Sequence, residues 1–234
     1  MQNIFSKNLF PRLALLGILI FPLFNLQEFY IHFYAYLTGS INLITGHWEI
    51  ALISIILFTA FLIPLSYRRK TNWKEKGLVT AFFISLFIEM YGIPLSIIFA
   101  SKYFININAE MPKNVVLFNF FGTPFAMDLA MAYGAILITL GAILIMTGWV
   151  TLYKNTEKKE IVTNGIYKYS RHPQYLGFIL IIAGWFVGWP TILTLIFSPI
   201  LIFRYIQNCK TEEKEISKTN KEYLEYLEKT PLLI

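Results

Sequence analysis

Apolar residues run along this chain in long blocks, broken by short stretches in which Lys and Arg gather. Lys7 and Arg12 lead into an apolar run from Leu13 to Leu26, and aromatic, apolar sequence continues to Leu37. No small-residue cleavage site follows, so the segment reads as an uncleaved first span rather than a signal peptide, kinked at Pro22 and Asn25. The stretch Thr38 to Glu49 carries no Lys or Arg. After a second span, Tyr67 to Lys76 holds Arg68, Arg69, Lys70, Lys74 and Lys76. A third span over Leu78–Ala100 carries Glu89 near its middle, an ionisable group that at such depth belongs against other helices or a wet cavity. Ser101–Phe125, with only Lys102 and Lys113 as basic residues, reads as an external segment. A fourth span, Ala126–Leu152, has Gly134, Ala135, Gly141, Ala142 and Gly148 for close helix packing. Then comes a helical hairpin: Pro173 to Val187, a turn at Gly188, Trp189 and Pro190, and a return from Thr191 to about Ile206. After Arg204 the sequence turns polar, and Tyr223, Leu224, Tyr226 and Leu227 give a closing helix one apolar face that lies on the membrane or folds back over the hairpin.

The expected fold is therefore all-α, a polytopic transmembrane bundle of about six spans with a C-terminal helical hairpin and an amphipathic tail. Composition agrees: 56% of the 234 residues are hydrophobic and 15% charged, and mean hydropathy is +0.56, outside the range of ordinary soluble domains. A formal net charge of +6 would suggest nucleic acid in a soluble chain. Here the basic residues cluster between apolar runs, where membrane topology explains them and no nucleic-acid partner is called for. The positive-inside rule places the N-terminus, the 67–76 loop, the 153–171 loop and the C-terminus in the cytoplasm, so the chain is expected to be a multi-pass protein of the cytoplasmic membrane. A single cysteine, Cys209, excludes an intrachain disulfide, and no Cys/His cluster has metal-ligand spacing, so no metal is expected.

Chemistry concentrates in Asn164–Gly177, NGIYKYSRHPQYLG. Pro173 favours a helix start at or just before His172, because a first-turn proline lacks only an N–H that has no helical partner. A helix start there attracts anions. His172 and Tyr175 are three apart and share a face, and Gly177 leaves room for a flat ligand or another helix. Lys168 and Arg171 also fit simple topology signals, and Tyr167, Tyr169 and Tyr175 fit an interfacial aromatic belt. Their density in one short segment favours a site.

The residues Ile161–Tyr167 and Arg171–Gly177, followed by Thr211–Ile216, Glu222–Tyr226 and Pro231, resemble two signature blocks of the integral-membrane methyltransferases typified by isoprenylcysteine carboxyl methyltransferase, with phospholipid methyltransferases as relatives. The resemblance covers about the last half of the chain. It implies a methyltransferase core over residues 126–234 and accessory N-terminal transmembrane helices over 1–125. It also implies S-adenosylmethionine as cofactor, lined by Lys159, Glu160, Ile161, Val162, Tyr167, His172, Pro173, Gln174, Tyr175 and Glu212. In that family an arginine about one helical turn before the paired glutamates meets the substrate carboxylate. Here that position is Asn208, and Arg204 and Lys210 are the nearest basic candidates for the catalytic role.

What this implies is O-methylation of a carboxylate on a prenylcysteine-like or other lipophilic substrate reaching the site from the membrane lipids. N- or S-methylation of a phospholipid amine or small thiol is the alternative, needing a neutral nucleophile and a base. A membrane reductase or a transporter stands as a different class. Against the reductase, the cytoplasmic loops are short and no Gly-rich phosphate fingerprint occurs. A transporter would bind no S-adenosylmethionine.

Overall fold

A computed structural model of the chain describes residues 9–46, 48–49, 52–53, 56, 110, 112–120, 122–155, 161–220 and 222–233. Their order is α1 (Leu9–Ile20), a 3-10 segment (Phe21–Asn25), α2 (Leu26–Gly46), β1 (Asn114–Phe120), β2 (Thr123–Asp128), α3 (Leu129–Lys154), a 3-10 turn (Gly165–Lys168), α4 (Pro173–Gly188), α5 (Ile192–Thr219) and α6 (Glu222–Lys229). Leu13–Gly39 and α3 are long and apolar enough to cross a membrane, and α4 is a shorter apolar helix. The expected spans before and after the basic stretch at Tyr67–Lys76, with Glu89, lie outside the described residues.

Three findings extend or correct these expectations. The helix that carries the apolar sequence to Leu37 does not end there, since α2 continues to Gly46. Its hydroxyls bond back within the helix, Thr38 to the Tyr34 carbonyl at 2.6 Å and Thr45 to that of Ile41 at 3.1 Å, so their polarity needs no loop. The fold is not wholly helical either: β1 and β2 form an antiparallel hairpin with Leu117 opposite Ala126 and Phe118 opposite Phe125. The β-branched and aromatic residues of Asn114–Phe120 favour extended chain. Gly122, at φ +81°, supplies the left-handed backbone of the turn. This sheet takes Ala126–Asp128 out of the expected fourth span. α3 begins only at Leu129, where Asp128 caps it by accepting from the Met131 N–H at 2.9 Å. Third, the return arm of the hairpin does not stop near Ile206; α5 runs unbroken to Thr219 and carries the acidic cluster on its last turns.

The centre of the molecule is the antiparallel pair α3 and α4. Gly134, Gly141 and Gly148 recur every seven residues on α3, and Gly177 and Gly184 do so on α4. A Cβ on Gly184 would stand 2.6 Å from the Gly134 carbonyl oxygen, and one on Gly177 2.6 Å from that of Gly141. The two backbones are thus in direct contact, and the glycines exist to permit it. On the other side of α4, Tyr175 and Phe178 pack with Leu201, Tyr205 and Cys209 of α5, the Phe178 and Tyr205 rings stacking at 5.5 Å.

The first two helices wrap the opposite end of α3. Tyr133 donates to the Ile18 carbonyl at 2.9 Å, and the buried His32 Nδ1 lies 2.7 Å from Asp128 Oδ2. That contact ties α2 to the cap of α3.

Candidate functional site

The polar residues meet where α3 delivers the chain to α4. The Asn164-Gly165 turn, with Gly165 at φ +59°, redirects the backbone into the 3-10 turn that buries Tyr167. His172 is the N-cap of α4 and Pro173 its first residue, as the proline rule requires. From there Tyr175 turns onto the same side as His172, with ring centroids 5.6 Å apart.

α5 supplies the facing wall. Leu201, Tyr205 and Cys209 form its buried stripe at four-residue spacing, and the same phase carried forward brings Glu212 and Glu213 to the cluster. The Tyr175 hydroxyl donates to Glu212 Oε1. His172 Nε2 stands 3.4 Å from Glu213 Oε1, and Nδ1 stands 3.9 Å from Glu212 Oε2. Arg171 Nε lies 2.8 Å from Glu213 Oε1, and its Nη1 donates to the Leu227 carbonyl at 2.8 Å.

The tail closes over this cluster. Tyr226 of α6 donates to the Tyr167 carbonyl at 2.6 Å. Beyond α6 the backbone N–H groups of Arg171 and His172 donate to the carbonyls of Pro231 and Leu232 at 3.1 and 3.2 Å. Of the two placements foreseen for the tail, folding back is the one found. The same bonds change the expected anion site, because two of the backbone donors at the start of α4 are already engaged by residues 231–232.

Electrostatics follow from burial. Desolvation, reinforced by the Arg171 charge, lowers the His172 imidazole to about 4, so it is neutral at physiological pH. Burial pushes the Glu213 carboxyl up, while Arg171 pulls it back down. Tyr223, buried and facing Glu213, is pushed up to about 12. The carboxylates near His172 would favour a charged imidazole, but neither contact is a well-formed hydrogen bond, and Arg171 offsets Glu213. We therefore assign His172 the neutral form. Arg171 Nε and Glu213 Oε1 are satisfied by their ion pair, whereas the buried His172 Nε2 has no hydrogen-bond partner. A buried imidazole nitrogen left without a hydrogen bond beside an ion pair is costly in a finished core and suits a polar ligand.

Of the residues expected to line a cofactor, His172, Tyr175 and Glu212 meet directly. Tyr167 contributes its carbonyl to the tail, and Ile161 and Val162, half-buried, lead into the turn. Pro173 is buried in the helix packing. Gln174 points at α3, its Cγ only 2.8 Å from where a Cβ on Gly148 would stand. Lys159 and Glu160 lie outside the described residues.

The two basic candidates stand away from the cluster. Arg204 and Lys210 are both exposed, because each falls more than a quarter turn from the buried stripe of α5. The cation that does stand in the cluster is Arg171, which the sequence presents as an ordinary topology signal. Glu213 belongs to the paired glutamates the sequence offered, whereas Tyr226 was equally hard to single out, since its partner lies far away along the chain.

A cavity of about 350 Å³ between α1 and the start of α3, lined by Ala14, Gly17, Ile18, Leu129 and Tyr133 among others, is walled almost wholly by carbon. It belongs to the other end of α3, where a charged cofactor would find no partners.

The polar cluster is thus mounted on the end of tightly packed apolar helices. Residues 129–218, from the first residue of α3 almost to the end of α5, match the model of the isoprenylcysteine carboxyl methyltransferase (ICMT) family, so this segment is similar to that family, which supports a membrane methyltransferase. Compared with curated proteins and with solved structures, the chain matches none.

Proposed function

We propose that the protein transfers a methyl group from S-adenosylmethionine to a lipophilic acceptor, with the cofactor held between the Arg171–Tyr175 corner and Glu212–Glu213 beneath α6. The observation that carries this reading is the convergence of Arg171, His172, Tyr175, Glu212 and Glu213 in one cluster, with the buried His172 Nε2 lacking a hydrogen bond. S-adenosylmethionine offers a carboxylate, an ammonium, a sulfonium and a stackable base. Arg171 and His172 suit the carboxylate, Glu212 and Glu213 the ammonium, and Tyr175 the sulfonium by cation–π attraction. When bound, it supplies a methyl group on an already activated sulfonium, so the protein's task is positioning and exclusion of water rather than strong acid–base chemistry.

The family points to a carboxylate acceptor, such as that of a prenylcysteine, arriving from the bilayer. One observation favours the second reading, a lipid amine or thiol. Among the described residues Arg171 is the cation at the cluster, and it already faces Glu213, whereas Arg204 and Lys210 point elsewhere. A neutral acceptor must shed a proton. His172, at about 4, is a weak base at neutral pH, so Glu213 with its raised carboxyl is the better acceptor of that proton.

Membranes containing the protein are incubated with methyl-labelled cofactor, and the labelled product is treated with mild base. Release of label identifies an ester and hence a carboxylate, whereas retention identifies an amine or thioether. Calorimetry on purified protein tests the cofactor itself: His172→Ala and Glu212→Ala should each weaken binding at least tenfold while the protein stays folded. Isotherms unchanged in both variants would overturn the site.

A further inference from the structure

The β1–β2 hairpin stands at the end of α3 remote from His172, since the helical rise puts Asp128 about 30 Å from Gly148. Val115, Val116, Leu117 and Phe118 are consecutive, and all are exposed, Leu117 at 74%. Side chains on a strand alternate between faces, so Val116 and Phe118 cover one side of the ribbon and Leu117 the other. Antiparallel sheets in contact with water ordinarily turn one polar face outward. This ribbon has no charged face: from Asn114 to Met127 it contains no charged residue, and the exposed polar residues on β1 are Asn114 and Asn119 near its ends. A two-stranded ribbon apolar on both sides is marginal in water.

We propose that the Asn114–Asp128 hairpin is a lipid-binding element, seated in the bilayer interface on the side opposite the methyl-transfer site. A bilayer surrounds both faces of a ribbon, whereas a docked protein covers one. Continuity supports the same occupant. β2 ends on Asp128, which is itself the cap of α3, so no linker separates the hairpin from a helix whose exposed Ile136, Ile143 and Met146 form a lipid-facing side. Exposed Lys113 marks the polar base of the ribbon, suited to phosphate headgroups.

The test places single cysteines by Val116→Cys, Leu117→Cys and Lys113→Cys in the full protein, reconstituted into phosphatidylcholine–phosphatidylglycerol vesicles and labelled with a nitroxide. Cys209 is fully buried, and wild-type protein serves as the labelling control. Labels at positions 116 and 117 should both be several-fold more accessible to oxygen, which partitions into lipid, than to a water-soluble nickel chelate, with the reverse at position 113. Nickel access prevailing at 116 or 117 would place the ribbon in water and overturn the proposal. Exclusion of both reagents at either position would equally overturn it, showing a protein contact, and recovery of access on dilution with lipid would identify that contact as a second copy of this chain.

Discussion

Burial lowers the His172 imidazole to about 4 although two carboxylates stand within 3.9 Å of its nitrogens. Because the folded group takes a proton less readily than the free side chain at 6.5, the unfolded chain binds more protons between those two values, and acid there favours unfolding. Stability contributed by neutral His172 is therefore complete above about pH 6.5 and should fall progressively toward pH 4. Unfolding midpoints in detergent across that range should show the slope, and His172→Asn should flatten it. Arg171 makes a second prediction at this scale. Arg171→Gln removes the bond to the Leu227 carbonyl and leaves Glu213 buried without its cation, costing about 2–3 kcal/mol. Arg171→Lys should not restore it, because one ammonium cannot reproduce a guanidinium that holds both partners. Thermal unfolding measures the loss, and faster proteolysis within residues 222–233 locates it. At this scale the sequence was informative where local rules act. Pro173 announced the helix start, and the spacing of His172 and Tyr175 announced a shared face. The pairing of Arg171 with Glu213 follows from how α4 and α5 dock, which neither residue's neighbours encode.

The glycine stripe decides how closely α3 and α4 can approach. Gly177→Ala would set a Cβ 2.6 Å from the Gly141 carbonyl oxygen, which forces two backbones apart and should cost about 1–3 kcal/mol. Gly17 is the useful contrast. A Cβ there meets nothing within 4 Å, so Gly17→Ala should be neutral or raise stability by up to about 1 kcal/mol through helix propensity. Equal effects of the two substitutions in thermal unfolding would contradict the packing described. The residues of α3 that permit this approach were legible as small positions. Their matching to Gly177 and Gly184 shows only when the two seven-residue repeats are laid antiparallel. The β1–β2 hairpin was missed for a different reason: in a chain so rich in apolar blocks, Val115–Phe118 reads as more of the same, and alternation, the usual mark of a strand, is missing because both of its faces are apolar.

At the scale of the whole molecule, the site is a joint product of segments far apart in sequence, and the tail is one of them. Removing residues 220–234 leaves His172, Tyr175, Glu212 and Glu213 in place but strips Tyr226 from the Tyr167 carbonyl and residues 231–232 from the start of α4. The truncated protein should therefore lose most cofactor affinity in calorimetry while keeping its helical circular dichroism. The order of apolar blocks foretold that the tail would return to the face bearing His172. It could not foretell contacts made through backbone carbonyls at Pro231 and Leu232, which any residue type could provide.

α5 carries one last implication. It runs from Ile192, among the apolar residues, past Pro199 to Thr219 beyond the acidic pair, so the carboxylates ride on the same helix whose Leu201, Tyr205 and Cys209 are packed against α4. Any tilt of the segment after Pro199 would shift Glu212 against His172, making the packing around Tyr205 a mechanical setting for the spacing of the two walls.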